Sequence, residues 1–262
     1  MDMLRRSTSL ITGEAWEELD EQARKVLTAN LSARKFVDVD GPRGWTYSAH
    51  PTGRIDIDRC CPSKTVQYGV NRVLPLVESR AVFELDIWEL DNISRGAKDP
   101  ELAPLDLAAR EIALFEEKAV YSGLAAAGIE GLSSARGSTS PLESEDPRGI
   151  VKAISEAVFI LKEKAVEGPY AFVASPALWR IVYGGVPGYP TSKHVTNLVD
   201  QVILSTQDDS YVVSTRGGDL ELVLGQDFSL GFEERNGDKV RLFLAESFTF
   251  RVISPEAVVQ IV

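Results

Sequence analysis

Histidine and cysteine occur only twice each in this chain of 262 residues, and that scarcity removes much of the usual chemistry. A Ser-His-Asp triad would have to use His50 or His194, and neither lies in a recognisable nucleophile context. The two thiols, Cys60 and Cys61, are adjacent. Two ligands cannot make a tetrahedral metal site, and an adjacent pair bridges only with strain, so reduced thiols are expected and no metal site. There is no G-x-S-x-G elbow, no G-x-x-x-x-G-K-[ST] phosphate loop and no H-E-x-x-H zinc helix. The sequence therefore offers no catalytic residue set.

Basic residues are also short, 28 against 39 acidic ones, for a formal net charge of −11. A nucleic-acid binder needs a basic face to displace counterions, so that class is excluded. No apolar run approaches the roughly 18 residues of a membrane span. The opening "MDMLRRSTSL" has no apolar core behind its arginines, so no secretory leader is expected. A cytoplasmic globular protein is the expectation, and with 44% hydrophobic and 26% charged residues it can build its core unaided.

What is present is patterned. Residues 12 to 32 read as an amphipathic helix capped by Thr12, with Ala15, Trp16, Leu19, Ala23, Val26, Leu27 and Leu31 at helical spacing. Residues 45 to 90 are strand-rich and look like an extended two-stranded arm, which cannot bury its apolar face alone. Within it, "AVFELDIWELDN" alternates, placing Ala81, Phe83, Leu85 and Ile87 on one face and Glu84, Asp86 and Trp88 on the other. Those two carboxylates are either an acid pair or the exposed face of a strand that meets another chain, and no opposing catalytic residue is apparent. Helices are expected from about Leu105 to Ala127, ended by Gly128, and from Arg148 to Lys164. "GPYAFVAS" reads as a buried strand, "PALWRIVYG" starts a helix, "GGVPGYPTSK" is an exposed loop, and the tail is all β. The class is α+β.

Taken in order, "ARKFVDVDGPRGW", "LPLVESRAVFELDIWELDN", "GPYAFV", "GYP", "STRGGDLELVLGQDFSLGFEER" and "VRLFLAESFTFRV" resemble the family-one encapsulin shell proteins over essentially the whole chain. The resemblance implies the Hong Kong 97 phage major-capsid fold. On it, residues 1–44 form a lumen-facing helix and strand, 45–92 the extended arm, 93–132 with 219–262 a peripheral domain, and 133–218 an axial domain. It implies a homo-oligomeric icosahedral shell of about 60 copies. The shell would enclose a dye-decolorising peroxidase or a ferritin-like iron-storage protein through that cargo's C-terminal peptide.

On this resemblance, Leu27, Leu31, Arg34, Asp38, Phe228 and Leu230 form the groove for that apolar peptide. Trp88 aligns with a tryptophan that stacks flavin in some relatives, with Arg80 as partner for the phosphate of FMN. Gly184, Gly185, Val186, Pro187, Gly188, Tyr189 and Pro190 form the axial pore loop, where Gly188 replaces the histidine many relatives carry. A prophage capsid protein and a hydrolase are the rival readings.

Overall fold

The computed structural model describes residues 3–57, 66–184 and 190–262. Four of the described helices begin where a polar side chain closes the first turn. Thr12 accepts from the Ala15 amide to open α1 (Gly13–Asn30), after which β1 (Asp38–Asp40), β2 (Ala49–Ile57), β3 (Gly69–Pro75) and β4 (Val77–Asp86) follow. Asp86 caps α2 (Ile87–Ser94), and α3 (Ala103–Ser122) has a proline in its first turn, where no amide is missed. Then come α4 (Leu132–Ala135), β5 (Ser138–Ser140), the Asp146-capped α5 (Pro147–Glu163) and β6 (Tyr170–Ala174). Ser175 caps α6 (Pro176–Tyr183), followed by α7 (Thr191–Thr196), β7 (Gln201–Leu204), β8 (Ser210–Ser214) and β9 (Leu220–Leu224). The chain then runs through β10 (Ser229–Asn236), β11 (Lys239–Val252) and β12 (Val258–Ile261).

Two five-stranded sheets carry the fold. In the first, the long β11 pairs along one edge with β9 and then β10, and along the other with β4, while β1 lies parallel to β9. In the second, the order is β5-β12-β8-β6-β7. α3 lies across the junction. Its first half packs Leu105 and Ile112 with Leu19, Leu85 and Leu242, and its second half packs Tyr121 with Tyr211, Phe248 and Phe250. A third core under α5 joins Ile150, Ile154 and Leu161 to Phe172 and Val259. Among the described residues β2 and β3 pair only with each other, and they leave Ile55, Ile57, Val70 and Val73 exposed.

The extended arm is shorter than expected. It comprises β2 and β3, whereas β4 joins the first sheet and buries Phe83 and Leu85 within its own chain. The alternation read through Trp88 stops at Asp86, because that carboxylate accepts from the Trp88 amide (2.8 Å) and starts a helix that buries Leu90 and Ile93. α3 ends at Ser122 rather than near Ala127, since Gly123 (φ 89°) breaks it before Gly128 can. β12, assigned from sequence to the peripheral part, lies inside the second sheet between β5 and β8.

On the face of the first sheet away from the helices, the Phe243 ring lies across Gly231 and under the Arg80 guanidinium, 4.1 Å from its centroid. A Cβ on Gly231 would stand 2.3 Å from Phe243 Cζ. Gly231→Ala is therefore expected to destabilise the chain by about 1–3 kcal/mol through overpacking, read by denaturant unfolding. Adding Phe243→Leu to it should recover part of that loss.

Candidate functional site

A groove of about 530 Å³ runs between α1 and the outer strand β10. Ala23, Leu27 and Leu31 recur at helical spacing and line the α1 wall, while Phe228, Leu230 and Leu244 form the sheet side. Thr28 is exposed on the rim, and Arg34 and Asp227 close the polar end. Five of the six residues expected to hold a peptide thus share one surface: Leu27, Leu31, Arg34, Phe228 and Leu230. Asp38 does not. A one-turn 3-10 helix, Ala33–Lys35, redirects the chain into β1, where Asp38 accepts from the Gly218 amide (2.5 Å) and fixes the turn before β9. Leu27, Leu31 and Leu230 also belong to the core, so they are the groove's floor and not free anchors.

The polar end is held from below by acids that the sequence reading missed. Arg34 pairs with Glu116 (2.6 Å), Glu246 (2.5 Å) and Asp227 (2.9 Å), and its guanidinium lies 4.7 Å from the Phe228 ring centroid. Burial draws the guanidinium's pKa down, but the bond to Glu116 and the charges of Glu116, Glu246 and Asp227 outweigh it and leave it raised. Glu246 is held well above the carboxylate range by desolvation first and the neighbouring Glu116 second. One residue along α3, Glu117 accepts from the Ser32 hydroxyl and the Ala33 amide (2.8 Å). Burial raises its pKa to about 7 against those hydrogen bonds. A signal existed in the sequence: Glu116 and Glu117 each follow a core residue of α3, Ile112 and Ala113, by four positions, so helical spacing turns both inward.

The other expected residues lie on separate elements. Trp88, 61% exposed, has the Arg95 guanidinium 5.7 Å from its ring. Arg80 lies on Phe243, six strand positions before Asp86, or roughly 20 Å along β4 at strand rise. Of the pore loop, Gly184 follows α6 and Pro190 precedes α7; Gly185, Val186, Pro187, Gly188 and Tyr189 lie outside the described residues, as do Cys60 and Cys61. Glu84 faces Lys239 (3.7 Å) and Asp86 caps α2, so neither is poised as half of an acid pair. No described helix is long and apolar enough to cross a membrane.

The family profile Linocin_M18, described as an encapsulating protein for peroxidase, matches residues 1–249. The chain is 36% identical over 271 residues to the type 1 encapsulin shell protein of Rhodospirillum rubrum, covering 99% of this chain and 96% of that protein. It is 35% identical over 260 residues to the type 1 encapsulin shell protein of Mycobacterium tuberculosis, covering 98% of each. Among solved structures, the virus-like particle of Pyrococcus furiosus matches with a TM-score of 0.65 over 94% of this chain and 98% of that one, at 16% identity. The capsid of Myoviridae phage XM1 matches with a TM-score of 0.59 over 88% and 91%, at 11% identity. At such identities the structural likeness shows the fold alone, which is that of phage capsids.

Glu117 links the turn at the groove's polar end to pH. Its folded pKa, about 7, exceeds the ordinary 4.5, so the fold favours the protonated form. The stability tied to that proton is present in full below pH 4.5 and is lost as pH rises to 7, on the order of 3 kcal/mol in total. Glu117→Gln should remove this component, so unfolding free energies of variant and parent measured from pH 4.5 to 8 should diverge in the variant's favour with rising pH.

Proposed function

Because the chain belongs to the encapsulin shell-protein family, whose members are structural subunits of Hong Kong 97 capsid fold and not enzymes, we propose that it closes into an icosahedral compartment of about 60 copies in the cytoplasm and captures a cargo protein by an extended apolar peptide at that cargo's C-terminus. The observation that carries the reading is the convergence of Leu27, Leu31, Arg34, Phe228 and Leu230 on one groove. The cargo we favour is a peroxidase, the class the family's description prints, and of the dye-decolorising type, ahead of a ferritin-like iron-storage protein. Either would give the compartment a role in oxidative stress or iron handling.

The arm supports closure. Ile55 and Ile57 are 52% and 54% exposed on a two-stranded element that has no apolar cover among the described residues. A second copy of the chain is the cover that closed symmetry supplies. A prophage capsid would have to hold DNA against a subunit of net charge −11, which favours the protein-filled compartment.

Two experiments test the reading. Ile55→Asp with Ile57→Asp places charges where the neighbouring copy should pack. Size-exclusion chromatography and electron microscopy should then show small soluble species in place of closed particles, with the circular dichroism of the subunit unchanged. Thr28→Arg projects a long cation from the exposed rim into the groove without touching the core. Co-expressed with a dye-decolorising peroxidase from the same genome, its shells should form normally but carry about tenfold less haem absorbance than the parent, equivalent to roughly 1.4 kcal/mol. Unchanged loading would move the peptide site elsewhere.

A further inference from the structure

The groove is bounded on the β10 side by a piece of the chain itself. In the register with β11, Ser229 stands opposite Ala245 and Gly231 opposite Phe243. Ser247, two residues on from Ala245, exchanges backbone hydrogen bonds with Gly225 and Gln226 on that same side. Alternation then turns the backbone of Leu230 and Phe232 away from β11. That outer edge meets no described strand, only the segment Leu4–Arg6. The Phe232 amide donates to the Leu4 carbonyl (2.8 Å), and Arg6 Nε donates to the Leu230 carbonyl (2.8 Å). Arg6 is fixed in turn by a two-pronged pair with Asp20 (2.7 and 2.5 Å) and lies 4.4 Å from the Trp16 ring centroid.

This strap is joined to the edge by the Phe232–Leu4 backbone bond and the Arg6 side chain. Met3 and Leu10 beside it are 40% and 77% exposed, and Arg5 takes a left-handed conformation (φ 53°) that non-glycine residues rarely adopt. It also stands between two hollows on the helix-covered face of the sheet. One is the docking groove, lined by Leu230. The other is a cavity of about 290 Å³ lined by Leu10, Ile87, Leu90 and Phe232.

We propose that residues 4–6 are a self-ligand, and that the cargo peptide binds as an added strand on the outer edge of β10 by displacing them. The inference rests on the groove reading above and specifies its binding mode. Strand addition uses the backbone groups of Leu230 and Phe232 for affinity and alternate side chains for selection. The incoming segment is therefore extended, with apolar residues at every second position so that successive ones enter the two hollows. It also carries a basic residue that replaces Arg6 on Asp20.

The probe is a fluorescein-labelled synthetic peptide alternating leucine with serine and ending in arginine, added while dissociated shells reassemble and counted in the particles after gel filtration. Deleting residues 2–9 should tighten half-saturation about tenfold, and Arg6→Ala, which leaves the strap in place but unpinned, should tighten it severalfold. N-methylation of alternate amides should abolish binding in one phase and leave it unchanged in the other, since only every second amide faces β10. Equal half-saturation in the parent, the deletion and Arg6→Ala, or full binding of both N-methylated peptides, overturns the strap proposal. If Thr28→Arg still weakens the probe in that case, the groove reading survives it. A probe indifferent to Thr28→Arg, with peroxidase loading equally indifferent, removes the groove reading itself.

Discussion

One largely buried cation fixes the place where this chain's parts meet. Arg34 follows α1, precedes β1 and reaches α3 through Glu116, β11 through Glu246 and the β9–β10 connection through Asp227. Both glutamates are fully buried. Charges removed from water contribute little net stability against an apolar replacement, yet stripping one partner from such a group costs several kcal/mol. What the cluster supplies is position. α1 cannot slide along β10 without breaking bonds to three separate elements, so the width of the groove between them is set by guanidinium geometry as well as by the packing of Leu27 and Leu31.

Glu117 extends the same arrangement by one residue. Its hydrogen bonds to Ser32 and Ala33 hold the turn that carries Arg34. Two adjacent carboxylates on one helix thus grip adjacent parts of one turn. The Ser32 hydroxyl also lies 2.7 Å from the Tyr121 hydroxyl, which ties the turn to the aromatic core beneath the second half of α3. Groove geometry and the packing of the two sheets are consequently not independent.

Helices and buried strands were legible in the sequence wherever one physical rule acted alone. The cap Thr12, the run that starts at Pro176 and the span from Arg148 to Lys164 read directly as helices. The opening of the long alternating run was also correct, but period two carries no information on where a strand stops; the stop lay in Asp86, whose carboxylate serves the amide two residues on. The groove was legible through family resemblance as a set of residues, and five of its members meet. Asp38 fell outside because a tight turn after Arg34 changes the chain's direction, which spacing along the sequence does not express. The buried acids were missed because composition counts them as surface charge. Only their phase on α3 and their place within the apolar run of β11 mark them as interior.

The placement of β12 has a consequence for the order of events during synthesis. The second sheet has this strand next to its edge, with β5 on one side and β8 on the other, so residues 258–261 complete a layer whose other strands begin at residue 138. As the chain leaves the ribosome, the first sheet has all its strands once β11 has emerged, while β5 still lacks the neighbour that ties it to β8. Non-local closure of this kind is slow relative to helix formation. A nascent subunit therefore carries open edges on β5 and β8 until β12 arrives, and through that interval those edges are available to the strands of neighbouring nascent chains.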